Sequence, residues 1–291
     1  MQTASGEIER HTEQVSTSSK AALQHVQTKK EEVDAAAEQL LQSRQLKDDE
    51  RTPAVDPKAA AVVERASDEL KTKPESSFTA EDHFARGLSQ FAKGNHLSAL
   101  ESFRAAYQAG PETTPTDAPV RYLFAQGVTL GGLDKLEEAI AVYNEMDRRF
   151  GKDESPGMRS LVTRARNAAA FRRIISAKQH WQDIPLKTAL LAAAIKGLES
   201  ALLICADDDR AVVSGNLGYA LFLSGDSAAA VEPTRDCLKL GGGAARAAQQ
   251  DDAKQQRVEP EDSDYEALLT RLWAELHPSA GLPGAGSQGD S

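Results

Sequence analysis

The sequence predicts an all-α fold of stacked helix pairs, and three observations carry that reading. Apolar residues recur at the helical period of 3.6 from Thr79 to Gly243, with no alternating strand pattern. Within that region three stretches superpose with glycine on glycine and, twelve residues later, alanine on alanine. Residues 1 to 77 differ: they contain no Phe, Tyr or Trp, and no glycine falls between Gly6 and Gly87, so they are helix-prone but poor in core residues. A chain of 291 residues with 40% hydrophobic content is large enough to bury a core.

The N-terminal segment, residues 1–77, reads as a helical arm. Ile8, Val15, Ala22, Val26, Val33 and Leu40 recur at seven residues with one step of four, close to a coiled-coil seam. Single Val and Leu positions bury little area, so the arm is either a solvated helix or a helix that docks or self-associates. Pro53 and Pro57 interrupt it, and a second helix is expected from Pro57 to about Lys71.

The repeat domain is placed at residues 78–243. Its first unit runs from Ala80 to Pro111 with a break at Lys93-Gly94-Asn95, its second from Val120 to Gly151 with a break at Gly131-Gly132, and another from Ala211 to Gly242 with a break at Ser224-Gly225-Asp226. Superposition brings Gly87, Gly127 and Gly218 together, and likewise Ala99, Ala139 and Ala230. Small residues at both places let two antiparallel helices cross closely, while larger apolar residues fill the space between repeats.

This spacing resembles the tetratricopeptide repeat over about residues 79–243. The shared features are Gly87 with Ala99, Phe103, Ala106 and Pro111; Gly127 with Ala139 and Tyr143; and Leu217 and Gly218 with Ala230 and Cys237. The aromatic usual near the start of the first helix is replaced by His83, Leu123 and Ser214, and Thr234 stands where a large aromatic is expected. The resemblance implies a superhelix whose concave side is lined by the first helix of each pair.

The distance from Gly127 to Gly218 leaves room for one more pair, for which Ser160 to Ala206 is the candidate, turning at Asp183-Ile184-Pro185 without a glycine at the crossing. Gly241-Gly242-Gly243 marks a helix stop, and residues 244–262 read as a polar linker. Tyr265, Leu268, Leu269, Leu272 and Leu276 then share one helical face, and Ser263 with Glu266 fits a capping box, so residues 263–277 are expected to cap the array. The Gly, Ser and Pro content of residues 278–291 predicts a disordered tail.

Composition and motifs narrow the function. Of the net charge of −10, most lies at the two ends: residues 1–77 carry 11 basic and 15 acidic side chains, and residues 244–291 carry 4 and 9. Without a basic stripe, neither nucleic acid nor an anionic membrane is an expected partner. The start of the chain lacks the pattern of a secretory leader and the apolar runs are too short to span a bilayer, which leads to the expectation of a cytoplasmic protein. Phosphate-loop, dinucleotide, nucleophile-elbow and zinc-protease motifs do not occur, so no catalytic, cofactor-binding or metal-binding residue is assigned and no enzyme is expected. His83 and His96 lack ligand-spaced neighbours, Asp207-Asp208-Asp209 suits a helix N-terminus, Cys205 and Cys237 fall in apolar helical patterns, and Trp181 and Trp273 fit helix packing.

The functional expectation is a non-catalytic scaffold or adaptor that holds a protein or peptide. The family pattern implies a mostly apolar groove lined by Phe84, Leu88 and Phe91, by Arg121, Phe124 and Val128, and by Asn216, Tyr219 and Phe222. Such a groove has the character of the small repeat chaperones that hold secretion substrates. The other expectation is a structural subunit that forms homo-oligomers through its N-terminal helices. A large apolar groove needs a cover, either a client or the N-terminal arm itself.

Overall fold

The computed structural model describes residues 26–41, 56–110 and 118–278, together with Lys20 and Gln24. Ile8, Val15 and Ala22 of the expected seam, the break at Pro53 and the tail from residue 279 lie outside these residues. Among the described residues there is no strand, and the helices follow one another as α1 (26–41), α2 (Pro57–Glu69), α3 (Ala80–Ala92), α4 (His96–Ala109), α5 (Ala118–Gly131), α6 (Leu136–Phe150), α7 (Pro156–Gln179), α8 (Ile184–Leu202), α9 (Asp207–Leu223), α10 (Ser227–Lys254) and α11 (Glu261–Leu276). From α2 onward each helix packs on the next, and α5 with α7, α7 with α9 and α9 with α11 also touch. From α5 to α11, alternate helices are therefore neighbours.

Short-range chemistry starts several of these helices. Thr79 and Asp82 form a reciprocal capping box at α3, with the Thr79 N–H donating to Asp82 at 2.7 Å and the Asp82 N–H donating to the Thr79 hydroxyl at 3.2 Å. Asp183 accepts the Leu186 N–H at α8, and Asp226 accepts the Ala229 N–H at α10.

Three of the pairs turn in the same way. Gly94, Asp134 and Gly225, each seven residues beyond a crossing glycine, have φ of 78°, 56° and 93°. The next residue in each turn, Asn95, Lys135 or Asp226, has φ between −94° and −80° and ψ between 63° and 69°. Its N–H donates five residues back, to the carbonyls of Gln90, Leu130 and Leu221. The second turn is thus at Leu133-Asp134-Lys135 and not at Gly131-Gly132, because Asp134 takes the left-handed conformation that glycine takes in the other two; Asp tolerates it better than most side chains.

The crossings are as close as the small residues imply. A Cβ placed on Gly87 would stand 2.6 Å from the Phe103 ring, and one on Gly127 would stand 2.5 Å from the Tyr143 ring. At Gly218 the equivalent partner is Thr234, and the shorter side chain lets backbone meet backbone: the added carbon would lie 2.9 Å from the Thr234 nitrogen and 3.2 Å from the Ala230 carbonyl oxygen. Ala99, Ala139 and Ala230 are fully buried. In the pair α7 and α8, Ala170, Ala177, Ala194 and Ala201 are all buried.

Two expectations change at the C-terminal end. Gly242, with φ 58° and ψ −144°, does break α10, but residues 244–254 continue as helix where a linker was expected, and Gln249, Asp252 and Ala253 on that stretch are buried. Helix α11 begins at Glu261 without the Ser263–Glu266 box; Arg257 instead donates to both Ser263 and Glu266, and Asp262 accepts the Val258 N–H at 2.7 Å. The apolar face of α11 does cover the last pair, through Tyr265, Leu268, Leu269 and Leu272.

Candidate interaction face

Helix α1 lies across the face made by α3, α5 and α7. Its buried residues are Ala36, Ala37, Leu40 and Leu41, with Val33 half-buried, which follows the i, i+3, i+4, i+7, i+8 spacing of a helix set on a broad surface. Of the seam positions among the described residues, α1 lays Val33 and Leu40 on this face and leaves Val26 65% exposed. Its acidic residues reach two arginines that rise from the face: Asp34 pairs with Arg121 of α5, and Glu38 accepts from Arg164 of α7 at 2.7 Å. Arg164 also bridges to Asp209 at the start of α9, 3.1 Å away. Burial works against the charge of Arg164, but its bonds to Glu38 and Asp209 outweigh that and hold the guanidinium pKa above its ordinary value. On its other flank α1 runs antiparallel to α2, with Lys29 paired to Glu69 and Arg65 to Glu32.

The groove residues expected from sequence separate into three groups. Phe84, Arg121 and Phe124 lie on the face under α1, where with Ala37, Leu41, Leu161 and Arg164 they border a pocket of about 430 Å³ that opens to solvent beside Glu38 and Gly157. Leu88, Phe91 and Val128 are sealed inside the helix pairs, with Phe91 edge-on to His96. Asn216, Tyr219 and Phe222 belong to the far end: Asn216 donates to Asn167 at 2.9 Å, and Phe222 is half-buried against Tyr265. All except Arg121 and Phe222 are buried, so in this conformation a partner could reach the first group only if α1 moved.

Tyr219 belongs to a buried polar cluster that sequence reasoning missed. Lys178 of α7 pairs with Asp262 of α11 at 3.1 Å, both fully buried, and donates to the Tyr219 hydroxyl at 2.7 Å and the Ala253 carbonyl at 3.1 Å. Tyr219 donates to Asp262 at 2.5 Å, Tyr265 to Gln249 at 2.8 Å, and Gln249 to Asp252 at 3.3 Å. Burial pushes the Asp252 carboxyl up to about 7 and drives the Lys178 ammonium down, the latter opposed by Asp262. A signal existed in the sequence: Lys178 sits one turn from Ile174 and Asp262 one turn before Tyr265, charges placed on otherwise apolar helical stripes. Beside this cluster, Asn167, Arg172, Asn216, Cys237, Gln249 and Asp252 line a smaller cavity of about 60 Å³. Its thiol is no ready nucleophile, since burial raises Cys237 to about 12.

The other residues singled out from sequence have structural neighbours. Lys187 stands 4.2 Å over the Trp181 ring, Trp273 stacks on His277, and both cysteines are free. Among the described residues no group of three His, Cys, Asp or Glu could hold a metal ion, and no helix is long and apolar enough to cross a membrane. Compared with known proteins, the chain matches no family model, no curated protein and no solved structure.

Proposed function

We propose that this chain is a tetratricopeptide-like interaction scaffold, without a reaction of its own, whose concave face takes a polypeptide and is occupied by α1 in the resting chain. The three matching turns and the glycine crossings support the repeat assignment. The observation that carries the function is the seating of α1: a helix from the same chain lies across the first helices of successive pairs, held by buried Ala and Leu and by Asp34 and Glu38. A surface that accepts one amphipathic helix has the shape and chemistry to accept another. Assembly through the stripe from Val33 to Leu41, one form of the other expectation, would require α1 to leave this face, because that stripe is already buried.

Leu40→Asp with Leu41→Asp in the full chain tests the reading. The variant should keep its helicity, bind more hydrophobic dye, and capture a polypeptide that the parent chain retains weakly. Adding Phe84→Ala and Phe124→Ala should weaken that capture by roughly tenfold or more, as expected for lost aromatic anchors. Equal capture by all three proteins would remove the face from the function.

A further inference from the structure

Helix α8 is apolar on both of its sides, which sets it apart from the other second helices of the pairs. Its inner side packs on α7 and α9 through Leu191, Ala194, Leu198 and Ala201. The outer sides of α4 and α6 carry charge, with Glu101 and Arg104 exposed on the one and Glu138 and Arg148 on the other. The outer side of α8 instead exposes Ala189, Ala192 and Ala193, with Leu203 at its C-terminal end 84% exposed and Ile184 at its N-terminal end 57%. A helix that is apolar all round belongs inside a protein or an assembly. The surface is separate from the face under α1, since α8 contributes no side chain to the pocket there.

We infer that the outer side of α8 is a dimer interface and that its occupant is the α8 of a second copy, lying antiparallel across a two-fold axis between Gly197 and Leu198. The charges choose both the occupant and the register. Lys196 and Glu199 are the exposed charged side chains in the C-terminal half of α8, and they stand equally far from that axis. Each Lys196 then faces the Glu199 of the other copy, so the two-fold makes two ion pairs from one pair of residues. Side-chain size agrees with charge: the same axis lays Leu202 and Leu203 of each copy on Ala193 and Ala192 of the other, large against small. An isologous contact needs one patch to match itself in this way, whereas an unrelated partner imposes no such symmetry. About three helical turns from each copy bury less than the roughly 800 Å² per partner of a stable complex, so this dimer dissociates on dilution.

Sedimentation equilibrium of the full chain over a range of concentrations tests this, and the parent should associate reversibly to a dimer. Leu203→Asp, Lys196→Glu and Glu199→Lys should each raise the dissociation constant roughly tenfold or more, because every change occurs twice in the dimer. All three side chains are exposed, so helicity and melting temperature should stay near those of the parent. Lys196→Glu with Glu199→Lys in one chain exchanges the charges and should return the constant to the parent's value. An equal mixture of the two single charge variants should also associate as the parent does, since each copy then carries the charges that the other lacks. A parent that stays monomeric at every concentration overturns the proposal, and so does a dimer indifferent to Leu203→Asp, which would lie on another surface such as the N-terminal helices. Loss in the single charge variants without recovery in the exchanged chain or the mixture overturns the two-fold register.

Discussion

The two ends of the array hold their helices together by different means. In the pairs α3–α4 and α5–α6, glycine meets an aromatic ring, and the core is built mainly on Phe84, Leu88, Phe103, Leu123, Tyr143 and Met146, with buried polar side chains that are neutral: Ser89, Ser102, Gln126 and Thr129. From α7 to α11 the helices are joined as well by Lys178, Tyr219, Gln249, Asp252 and Asp262, charged or polar groups with almost no exposure. Steric fit sets how near two helices come and degrades gradually when volume changes. A buried ion pair sets which partners must be present, and it fails abruptly when one is removed. The C-terminal end is therefore the more sensitive to single charge changes, and the N-terminal end to changes of size.

The largest effect should come from Lys178→Ala. Removing the ammonium leaves Asp262 buried without its counter-charge and deprives the Tyr219 hydroxyl of a donor, and breaking such a pair costs about 3–5 kcal/mol. Urea unfolding of the full chain measures it. The double change Lys178→Met with Asp262→Leu removes both charges together and should recover most of that loss, because neither partner is then stranded. A loss below about 1 kcal/mol for Lys178→Ala would mean that water or rearrangement satisfies Asp262 and that the two ends do not differ in kind.

Crossing glycines sharpen the same contrast at intermediate size. Gly218→Ala sets a methyl group against the Thr234 hydroxyl, the Thr234 nitrogen and the Ala230 carbonyl, and the two backbone atoms among these move only with their helix. In Gly87→Ala the three atoms nearest the new carbon all belong to the Phe103 ring, a side chain and not backbone. Overpacking of this kind costs about 1–3 kcal/mol, and the gain in helix propensity from glycine to alanine offsets part of it. Gly218→Ala should therefore lower the melting temperature more than Gly87→Ala; the reverse order would show that the Phe103 pocket is the more rigid.

What was legible in the sequence follows the same division. Helix content, the paired units, the crossing glycines and the covering helix α11 rest on apolar period and residue size, which are local properties. The turn at Asp134 was misplaced because two adjacent glycines suggested a break, whereas only one residue needed positive φ and an aspartate supplied it. Residues 244–254 read as linker because Gln249 and Asp252 are polar, and nothing local says that Tyr265 and Gln249 will meet across sixteen residues. For the candidate face, Phe84, Arg121 and Phe124 border one pocket, but periodicity cannot say whether that side is open or covered. The cover comes from α1, whose weak apolar pattern gained its meaning only from Arg121 and Arg164 on distant helices.

The smallest expected effect is a dependence on pH. Asp252 is buried and its carboxyl is pushed up to about 7, mainly by the loss of solvent, with Lys178 and Arg172 pulling the other way. A carboxyl whose folded pKa exceeds its unfolded value of about 4 keeps its proton more tightly in the folded chain. The stability tied to this group is therefore greatest below about pH 4 and declines as pH rises to about 7, above which the full cost of the buried charge is present. Asp252→Asn cannot ionise, so relative to the parent it should gain stability across that window. The amide's need for partners shifts the difference equally at every pH, and the pull of Lys178 and Arg172 is already contained in the raised pKa, so the readout is the rise of the difference between about pH 4.5 and 8. Paired thermal melts of the two proteins at each pH measure it, and exposed carboxylates common to both cancel in the difference. A difference that stays constant with pH would place the charge of Asp252 in a better-compensated site than its burial implies; one that shrinks as pH rises would show that the ionised carboxylate contributes to holding α10 against α7.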